Sequence, residues 1–313
     1  MPRAVVTGGA GFLPSHVVDL LIDKGYDVVA FDNLLTGSVA NLDDARATGH
    51  LTFFEHDVSE GLRVAGPVDV VLHLASAASP PEYLAHPIET LVVGSRGTQH
   101  ALDLAREHGA RVLLASTSEI YGDPLEHPQQ ERYHGNVDPT GPRAVYDEAK
   151  RYAEAIAMAY HRTYGVDTKI ARIFNTYGPR LAPGDGRVVS NFLMQADAGE
   201  PITIYGDGTQ TRSFCYVADE AAGLVALLES DHVGPMNIGN PAEYTVLDLA
   251  RAVLDVADVE LELVFAPLPV DDPRQRRPDI SLAERVLGWR PETELREGLA
   301  RTLDWYRRTG DPD

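Results

Sequence analysis

A glycine-rich turn near the start of the chain constrains the fold more than any other feature of the sequence. A short apolar, β-branched run from Arg3 to Thr7 leads directly into Gly8-Gly9-Ala10-Gly11-Phe12-Leu13-Pro14, and an amphipathic stretch follows as far as Gly25. A strand that enters a helix through such a turn presents backbone N–H groups and the positive helix end to a pyrophosphate. The pattern predicts the first unit of a dinucleotide-binding fold.

The second strand-like run, from Asp27 to Phe31, ends on Asp32, about twenty residues beyond the turn. A carboxylate at this place binds the adenosine ribose hydroxyls and repels a 2′-phosphate, which favours NAD over NADP. Pro14 departs from the fingerprint, whose third position is normally glycine. Proline is tolerated in a first helical turn because its missing N–H has no intrahelical partner there. Two interpretations stay open: an accommodated substitution, or a shifted loop that changes NAD retention.

Strand-like runs alternate with helical patterns through the first half of the chain. The runs are Val5, Val28, Leu51 to Phe54, Val68 to Leu74, Arg111 to Ala115 and Thr168 to Ile173. This order predicts an α/β protein with a doubly wound parallel Rossmann sheet. Loops rich in Gly, Pro and Arg after about residue 175, with helices near 190, 220, 247 and 283, predict a smaller C-terminal substrate-binding lobe. We expect an NAD-binding domain at 1–176 with a return segment at about 213–240, and a lobe made of 177–212 and 241–313.

Composition narrows the class of partner. The chain has 313 residues, 44% hydrophobic and 24% charged, which is ordinary for a globular protein. A net charge of −20 argues against nucleic acid or an anionic membrane surface. One cysteine, Cys215, fits a reducing compartment, and no apolar run approaches about twenty residues, so we expect a soluble, cytoplasmic protein. No His, Cys and Asp grouping has metal-ligand spacing, so no metal is predicted.

Tyr146 and Lys150 form the second informative pattern. They lie four residues apart in Ala-Val-Tyr-Asp-Glu-Ala-Lys-Arg and share one face of a predicted helix. An ammonium near a phenol favours the phenolate. Beside a nicotinamide, such a pair predicts a base for a sugar hydroxyl. Only three lysines occur in the chain, at 24, 150 and 169, so lysine at 150 points to a chemical requirement.

Six arginines of the C-terminal half lie in turn-like segments flanked by Gly or Pro, where we expect side chains to be displayed toward ligands. As a group they favour phosphate and carboxylate binding. They are Arg180, Arg187, Arg212, Arg274, Arg276 and Arg277.

These patterns together resemble an extended short-chain dehydrogenase/reductase that acts on a nucleotide sugar. Six segments are closer still to the UDP-glucuronate decarboxylases (UDP-xylose synthases). The chain departs from that pattern at Pro14, at Ala77, where proline is usual, and at Ala149, often glycine. The six segments are Leu74 to Pro81, Ala115 to Pro124, Gly141 to Arg151, Ala171 to Arg180, Gly184 to Phe192 and Asp272 to Asp279.

The resemblance implies a reaction, cofactor and partners. UDP-glucuronate is oxidised at C4 with bound NAD, loses carbon dioxide, is protonated at C5 and is reduced again to UDP-xylose. Release of some UDP-4-keto-pentose stays open. The alternatives are a UDP-glucuronate 4-epimerase, another nucleotide-sugar epimerase or dehydratase, and a non-catalytic NAD-sensing regulator. The implied partners are UDP-glucuronate, UDP and a second subunit, which would pair through the helices around 101–108 and 146–164.

The same resemblance implies the catalytic roles. Tyr146 is the base at the C4 hydroxyl, Lys150 lowers its pKa and holds the nicotinamide ribose, and Thr117 completes the hydrogen bond to the C4 oxygen. Glu119 orients water or relays a proton at C5, with Ser118 adding a hydroxyl. A 4,6-dehydratase would have Asp-Glu at these two places, and simple 4-epimerases usually lack the glutamate. Arg276 is expected to bind the sugar carboxylate, with Arg274 or Arg277 as the fallback.

Two sets of binding residues complete the prediction. Ser79 and Glu82 are further sugar contacts in the segment from Leu74 to Pro81. Substrate is expected at Ser79, Glu119, Asn175, Arg187, Tyr205, Arg212 and Arg276, with Asn175, Arg187 and Arg212 on the diphosphate and Tyr205 near the uracil. The cofactor is expected at Gly8, Gly11, Phe12, Leu13, Asp32, Asn33, Gly37, Asp57, Val58, Leu74, Ala75, Ala77, Ser116, Tyr146 and Lys150.

Overall fold

The computed structural model describes residues 1–267 and 275–310. Its strands are β1 (Arg3–Thr7), β2 (Asp27–Asp32), β3 (Leu51–Glu55), β4 (Val70–His73), β5 (Arg111–Thr117), β6 (Thr168–Ile173), β7 (Thr176–Tyr177), β8 (Ile202–Tyr205), β9 (Thr211–Ser213), β10 (Cys215–Tyr216), β11 (Gly234–Ile238), β12 (Glu243–Thr245), β13 (Leu263–Ala266) and β14 (Gln275–Arg276). Its helices are α1 (Phe12–Asp23), α2 (Asp43–Ala47), α3 (Pro80–Ala85), α4 (Pro87–Val92), α5 (Thr98–His108), α6 (Ala144–Tyr164), α7 (Val188–Ala198), α8 (Val217–Glu229), α9 (Val246–Ala257), α10 (Ser281–Leu287) and α11 (Leu295–Thr309). Short 3₁₀ turns at Val39–Leu42 and Ser118–Tyr121 and a π-helical turn at Val93–Gly97 complete the described elements.

The central sheet of the described chain has seven strands in the order β11-β6-β5-β4-β1-β2-β3. All six pairings are parallel. Successive side chains of a strand point to opposite faces, and β1 shows this directly: Ala4 and Val6 enter one hydrophobic cluster while Val5 enters another. The predicted doubly wound parallel fold is confirmed. The sequence analysis did not predict β11, because its residues, Gly234-Pro-Met-Asn-Ile, lack a clear β-branched pattern.

Helices cover both faces of this sheet. α1, α8 and α10 contribute buried aliphatic residues to the cluster on one side, and α5 and α6 do so on the other. Gly94, in the π-helical turn, allows a close approach to α6, because a Cβ added there would lie 2.7 Å from the Cβ of Ala149. Both sides of the sheet are therefore buried, as parallel sheets require.

The order of strands reverses at β1, which lies between β2 and β4. In this architecture the crevice beyond the carboxyl ends of the strands at such a point is where ligands bind. Thr7 pairs with His73 and with Phe31, so the turns that follow β1, β2 and β4 leave the sheet at the same edge.

A third hydrophobic cluster builds the C-terminal part of the described chain. It joins α7, α9 and α11 with β8 and reaches Phe12 and Leu13 at the start of α1. The predicted boundaries at 176, 212 and 240 stay a prediction. Within residues 1–267 and 275–310, no helix is both long and apolar enough to cross a lipid bilayer.

The alanine-rich faces of α5 and α6 lie in the core of the subunit. Ala101 and Ala157 are fully buried, and Ala153 is almost so. These residues contact the sheet side of the fold rather than presenting a surface to a second subunit.

Candidate functional site

A cavity of about 710 Å³ opens at the carboxyl edge of the sheet, where the glycine-rich turn, the ends of β4 and β5 and the start of α6 meet. Most of the site residues predicted from the sequence line it. Gly37, Tyr205, Arg212 and Arg276 are not among the lining residues. The predicted residues that do line it are Gly8, Gly11, Phe12, Leu13, Asp32, Asn33, Asp57, Val58, Leu74, Ala75, Ala77, Ser79, Glu82, Ser116, Thr117, Ser118, Glu119, Tyr146, Lys150, Asn175 and Arg187.

The glycine-rich turn meets the demands of a pyrophosphate site. Gly8 has φ +72°, and a Cβ there would lie 2.7 Å from the Cα of Ala75, so neither the conformation nor the space admits a side chain. Gly11 precedes α1 without a side-chain cap, which leaves first-turn N–H groups for a ligand. Pro14 lies in that first turn and lines the cavity, and Leu13 before it is helical.

Asp32 closes the adenosine end of the cavity. Its two carboxylate oxygens accept hydrogen bonds from the N–H groups of Ala10, at 3.0 Å, and Leu34, at 2.8 Å. Burial raises the pKa of Asp32 above its ordinary value, while these two bonds oppose the rise. Each carboxylate oxygen retains a lone pair for a ribose hydroxyl. Gly37 packs against this carboxylate, since a Cβ there would lie 3.0 Å from its Oδ2. These free acceptor positions on Asp32 fit the adenosine ribose hydroxyls of NAD.

Tyr146 lies in the first turn of α6, buried beneath the cavity. The ring of Tyr83 stacks on its ring, with centroids 5.1 Å apart and planes within 7°, and Ala77 belongs to the same apolar cluster. The hydroxyl of Thr117 lies near the Tyr146 phenol and acts to lower its pKa, and it accepts the N–H of Glu119 at 3.2 Å. The hydroxyl that accepts from Glu119 can therefore donate to the phenol oxygen. Thr117 thus connects the end of β5 to Tyr146.

Lys150 lies one helical turn further along α6. Its Nζ donates to the carbonyl of Ala115 at 2.8 Å and lies 5.7 Å from the centre of the Tyr146 ring. Burial lowers the pKa of Lys150 to about 8. Burial also raises the pKa of Tyr146 to about 12, although the nearby Thr117 hydroxyl opposes the rise. The chain's own groups do not hold Tyr146 as a phenolate at neutral pH.

Glu119 is held between two guanidinium groups. Arg276 makes two hydrogen bonds to its carboxylate, one of them 2.9 Å between Nη2 and Oε2, and Arg143 adds another at 2.9 Å. Burial alone would raise the pKa of Glu119, but the attraction of Arg276 and Arg143 prevails and lowers it to about 2. Glu119 is therefore ionised at every physiological pH.

The arginine prediction needs a correction. Arg212 and Arg276 were expected in displayed turns, but they lie in β9 and β14 and are only 8% and 5% exposed. Pairing of β14 with β9 buries them, and the guanidinium of Arg276 binds Glu119 rather than lining the cavity. Arg274, the first fallback, lies outside the described residues.

The remaining arginines of the group lie near the cavity or at the surface. Arg187 lines the cavity, and its Nε lies 3.0 Å from Asp185. Arg180 also lines it but binds Asp19 at 2.6 Å. Arg277 is half-exposed and 4.0 Å from Glu243. Of this group, Arg180 and Arg187 therefore line the cavity, as does Asn175.

Sequence reasoning missed three residues that surround Tyr146 and Glu119: Tyr83, Arg143 and Asp147. Arg143 and Asp147 belong to the segment from Gly141 to Arg151 that carried the resemblance, so their closeness to Tyr146 in sequence was an available signal. Nothing in the sequence marked Tyr83, because its stacking depends on how α3 and α6 meet. Among the described residues, no group of three His, Cys, Asp or Glu side chains is placed to hold a metal ion.

Comparisons with known proteins agree with this geometry. Residues 4–239 match the model of the NAD dependent epimerase/dehydratase family. UDP-glucuronic acid decarboxylase 1 of Arabidopsis thaliana is 53% identical over 305 residues, which cover 97% of this chain and 70% of the relative.

Two solved structures are also similar. UDP-glucose 4-epimerase from Thermotoga maritima, with UDP-glucose, has a TM-score of 0.88 and 30% identity, covering 98% of this chain and 99% of that one. A tyrosine-to-phenylalanine variant of UDP-glucuronic acid 4-epimerase from Bacillus cereus, with UDP-4-deoxy-4-fluoro-glucuronic acid and NAD, has a TM-score of 0.86 and 26% identity, covering 98% and 100%.

Proposed function

This chain belongs to the NAD dependent epimerase/dehydratase family, and we propose that it converts UDP-glucuronate to UDP-xylose with loss of carbon dioxide. It is an enzyme, its cofactor is NAD and its substrate is a UDP-sugar. The observation that carries the reaction type is Glu119, ionised at the cavity wall between Arg143 and Arg276. The two guanidinium groups that hold Glu119 place positive charge next to the cavity wall, where an acidic sugar can interact with it.

NAD would be held by the turn from Gly8 to Gly11, by Asp32 on the ribose hydroxyls and by Lys150. When bound, it accepts the hydride from C4 of the sugar and later returns it. Tyr146 takes the proton of the C4 hydroxyl, and Thr117 donates a hydrogen bond that favours the charged oxygen. Because burial raises the pKa of Tyr146 to about 12, the base form depends on positive charge brought close to the ring. Lys150, 5.7 Å from the ring centre, supplies part of it.

Oxidation at C4 makes the loss of carbon dioxide feasible. The electron pair of the broken C5–carboxylate bond moves into an enolate with the 4-keto oxygen, which Thr117 and Tyr146 stabilise by hydrogen bonds. C5 then takes a proton, and Tyr146 returns its proton to the C4 oxygen on re-reduction. Arg276 orients the substrate carboxylate in our proposal, supported by its contact with Glu119, which lines the cavity.

A direct test is incubation of the purified protein with UDP-glucuronate. We expect carbon dioxide and UDP-xylose, with catalytic rather than stoichiometric NAD consumption. UDP-galacturonate without mass loss would instead establish the 4-epimerase, and binding of NAD without any product would establish the sensing regulator. Mass spectrometry also shows whether UDP-4-keto-pentose escapes before re-reduction.

We further infer that the protein forms a homodimer. Leu84, Ile88 and Leu91 on α3 and α4 are 49%, 66% and 37% exposed, and Tyr152 on α6 is 45% exposed. α4 packs against α6, so these side chains form an apolar surface beside the site. This surface, rather than the buried alanines of α5 and α6, supports pairing through this side of the subunit. A cytoplasmic location also stays a proposal, supported by the single, buried thiol of Cys215.

A further inference from the structure

The proposed reaction consumes one proton at C5 in each turnover, and we propose that Asp147 is its reservoir. The carboxyl group of Asp147 takes up a proton when the acidic sugar binds, and releases it to C5 through a water held by Glu119 after carbon dioxide leaves. The inference rests on the proposed function and adds to it the source of the proton.

Glu119 itself is unsuited to be the acid. Its carboxylate receives three hydrogen bonds from Arg143 and Arg276, and its pKa is lowered to about 2. A group with that pKa is almost never protonated near neutral pH. Glu119 can hold and orient a water, but the proton must come from another group.

Asp147 is a buried carboxyl group close enough to Glu119 for the two charges to interact. It follows Tyr146 on α6, and its backbone N–H donates to the carbonyl of Arg143 at 3.2 Å. Its side chain is buried, and Oδ1 has no hydrogen-bond partner. A buried carboxylate oxygen without a partner is costly when charged, which favours the protonated form.

The charges around Asp147 come from four parts of the fold. They are Glu119 after β5, Arg143 before α6, Arg276 in β14 and Glu148 on α6 itself. The phenol of Tyr83 on α3 also lacks a hydrogen-bond partner, and the charge of Asp147 helps to raise its pKa. Burial and the repulsion of Glu119 raise the pKa of Asp147 to about 7, against the attraction of Arg143 and Arg276. Asp147 is thus poised to change its charge in the neutral range.

A bound sugar carboxylate changes this balance. With Asp147 ionised, the two guanidinium groups of Arg143 and Arg276 are matched by two carboxylates, Glu119 and Asp147. The substrate adds a third negative charge beside them, which raises the affinity of Asp147 for a proton. Binding of UDP-glucuronate therefore promotes protonation of Asp147, whereas binding of a UDP-sugar with a neutral sugar ring does not.

The proton balance closes over the cycle. The C5–carboxylate bond breaks, its electron pair enters the enolate, and carbon dioxide leaves. The enolate carbon C5 takes the proton of Asp147 through the water at Glu119, leaving Asp147 ionised and C5 bonded to hydrogen. With the sugar carboxylate gone as carbon dioxide, Asp147 equilibrates with solvent until the next acidic sugar binds.

Proton uptake on binding tests the loading step without turnover. Tyr146→Phe should bind UDP-glucuronate but not oxidise it, and calorimetry in buffers of different ionisation enthalpy counts the protons taken up. A group with pKa about 7 is about one-tenth protonated at pH 8, so we expect uptake of about half a proton or more there. UDP-glucose should give none, and Tyr146→Phe combined with Asp147→Asn should give none with UDP-glucuronate. Absence of uptake in Tyr146→Phe, or uptake that persists in the double variant, overturns the proposal.

Stopped-flow absorbance of reduced nicotinamide tests the delivery step. Asp147→Asn keeps the shape of the side chain but cannot supply the proton. Its absorbance should rise at the parental rate and decay about tenfold or more slowly, because re-reduction must wait for C5. The parental decay should slow as the pH rises past the pKa of Asp147 in the sugar complex, which lies above the value of about 7 in the free protein, and the variant's decay should not. Glu107→Gln, which removes an exposed carboxylate of α5, is the control and should retain both phases.

Parental decay rates in Asp147→Asn would refute this role. The proposed decarboxylation and the proposed role of Asp147 can be refuted independently. If the parental enzyme releases no carbon dioxide, the function is wrong whatever the proton count. If it releases carbon dioxide while Asp147→Asn behaves as the parent, only the reservoir is wrong.

Discussion

Glu119→Gln should destabilise the folded protein by roughly 3 kcal/mol at pH 7. The fall of the Glu119 pKa from 4.5 to about 2 corresponds to roughly 3 kcal/mol, at about 1.4 kcal/mol for each pKa unit. The side chains of Glu119 and Arg276 are 15% and 5% exposed, so solvent screens little of this interaction. Breaking a buried ion pair from one side costs about 3–5 kcal/mol, because the remaining charge is left unpaired. The two estimates agree.

The pH dependence of this difference has a definite sign. The folded-state pKa lies below the unfolded one, so the contribution of Glu119 is complete above about pH 4.5 and is lost as the pH falls toward 2. Urea unfolding followed by circular dichroism at pH 7, 5 and 3 measures it. The gap between parent and Glu119→Gln should shrink to roughly 1 kcal/mol at pH 3.

A double-mutant cycle identifies the partner. Arg276→Met removes the charge that Glu119→Gln leaves unpaired, so the double variant should be more stable than the sum of the single losses predicts. Glu148→Gln, at a partly exposed carboxylate, should stay within about 0.5 kcal/mol of the parent. A Glu119→Gln protein as stable as the parent at pH 7, or a gap that is the same at pH 7 and pH 3, would refute the reasoning.

Three further predictions concern the surroundings of the site. Tyr83→Leu removes the ring stacked on Tyr146 and should lower kcat about three- to tenfold with KM unchanged, whereas Tyr83→Phe should retain turnover. Steady-state assays with UDP-glucuronate measure both variants, and equal losses in the two would contradict a role for stacking. Pro14→Gly should change the NAD dissociation rate less than about twofold, because the first turn of α1 already forms around the proline; a larger change in stopped-flow displacement would revive the shifted loop. Ile88→Glu should convert a dimer to a monomer in sedimentation velocity, and an unchanged dimer would move the interface elsewhere.

The sheet could be predicted because its signals are local. Each of β1 to β6 is a short apolar run bounded by turn residues, and Gly8 and Asp32 fall at strand ends where the fold requires them. β11 has no such signal. Its Gly-Pro start and single β-branched residue become a strand only because β6 offers a parallel edge to pair with. Tertiary pairing, not local propensity, determines that strand.

Site residues could be predicted where their roles depend on short spacing in the sequence, but not where they depend on contacts between distant parts of the chain. Tyr146 and Lys150 share a helix face because they are four residues apart, and both line the cavity. Arg276 was expected in a displayed turn, yet pairing of β14 with β9 buries it and brings its guanidinium to Glu119. Its contact with Glu119 spans 157 residues of sequence, a distance at which neither periodicity nor composition carries information.

The bond between Arg276 and Glu119 also constrains how the two can act. A guanidinium that already makes two hydrogen bonds to one carboxylate has three donors left for a second. Arg276 can therefore orient a sugar carboxylate only from the side that Glu119 does not occupy, and the two anions then repel each other across it. That repulsion is relieved when carbon dioxide leaves, since the negative charge moves from the carboxylate toward the C4 oxygen and Thr117. Because this repulsion is weaker in the transition state than in the ground state, Glu119 favours decarboxylation by raising the energy of the bound acidic sugar relative to the enolate.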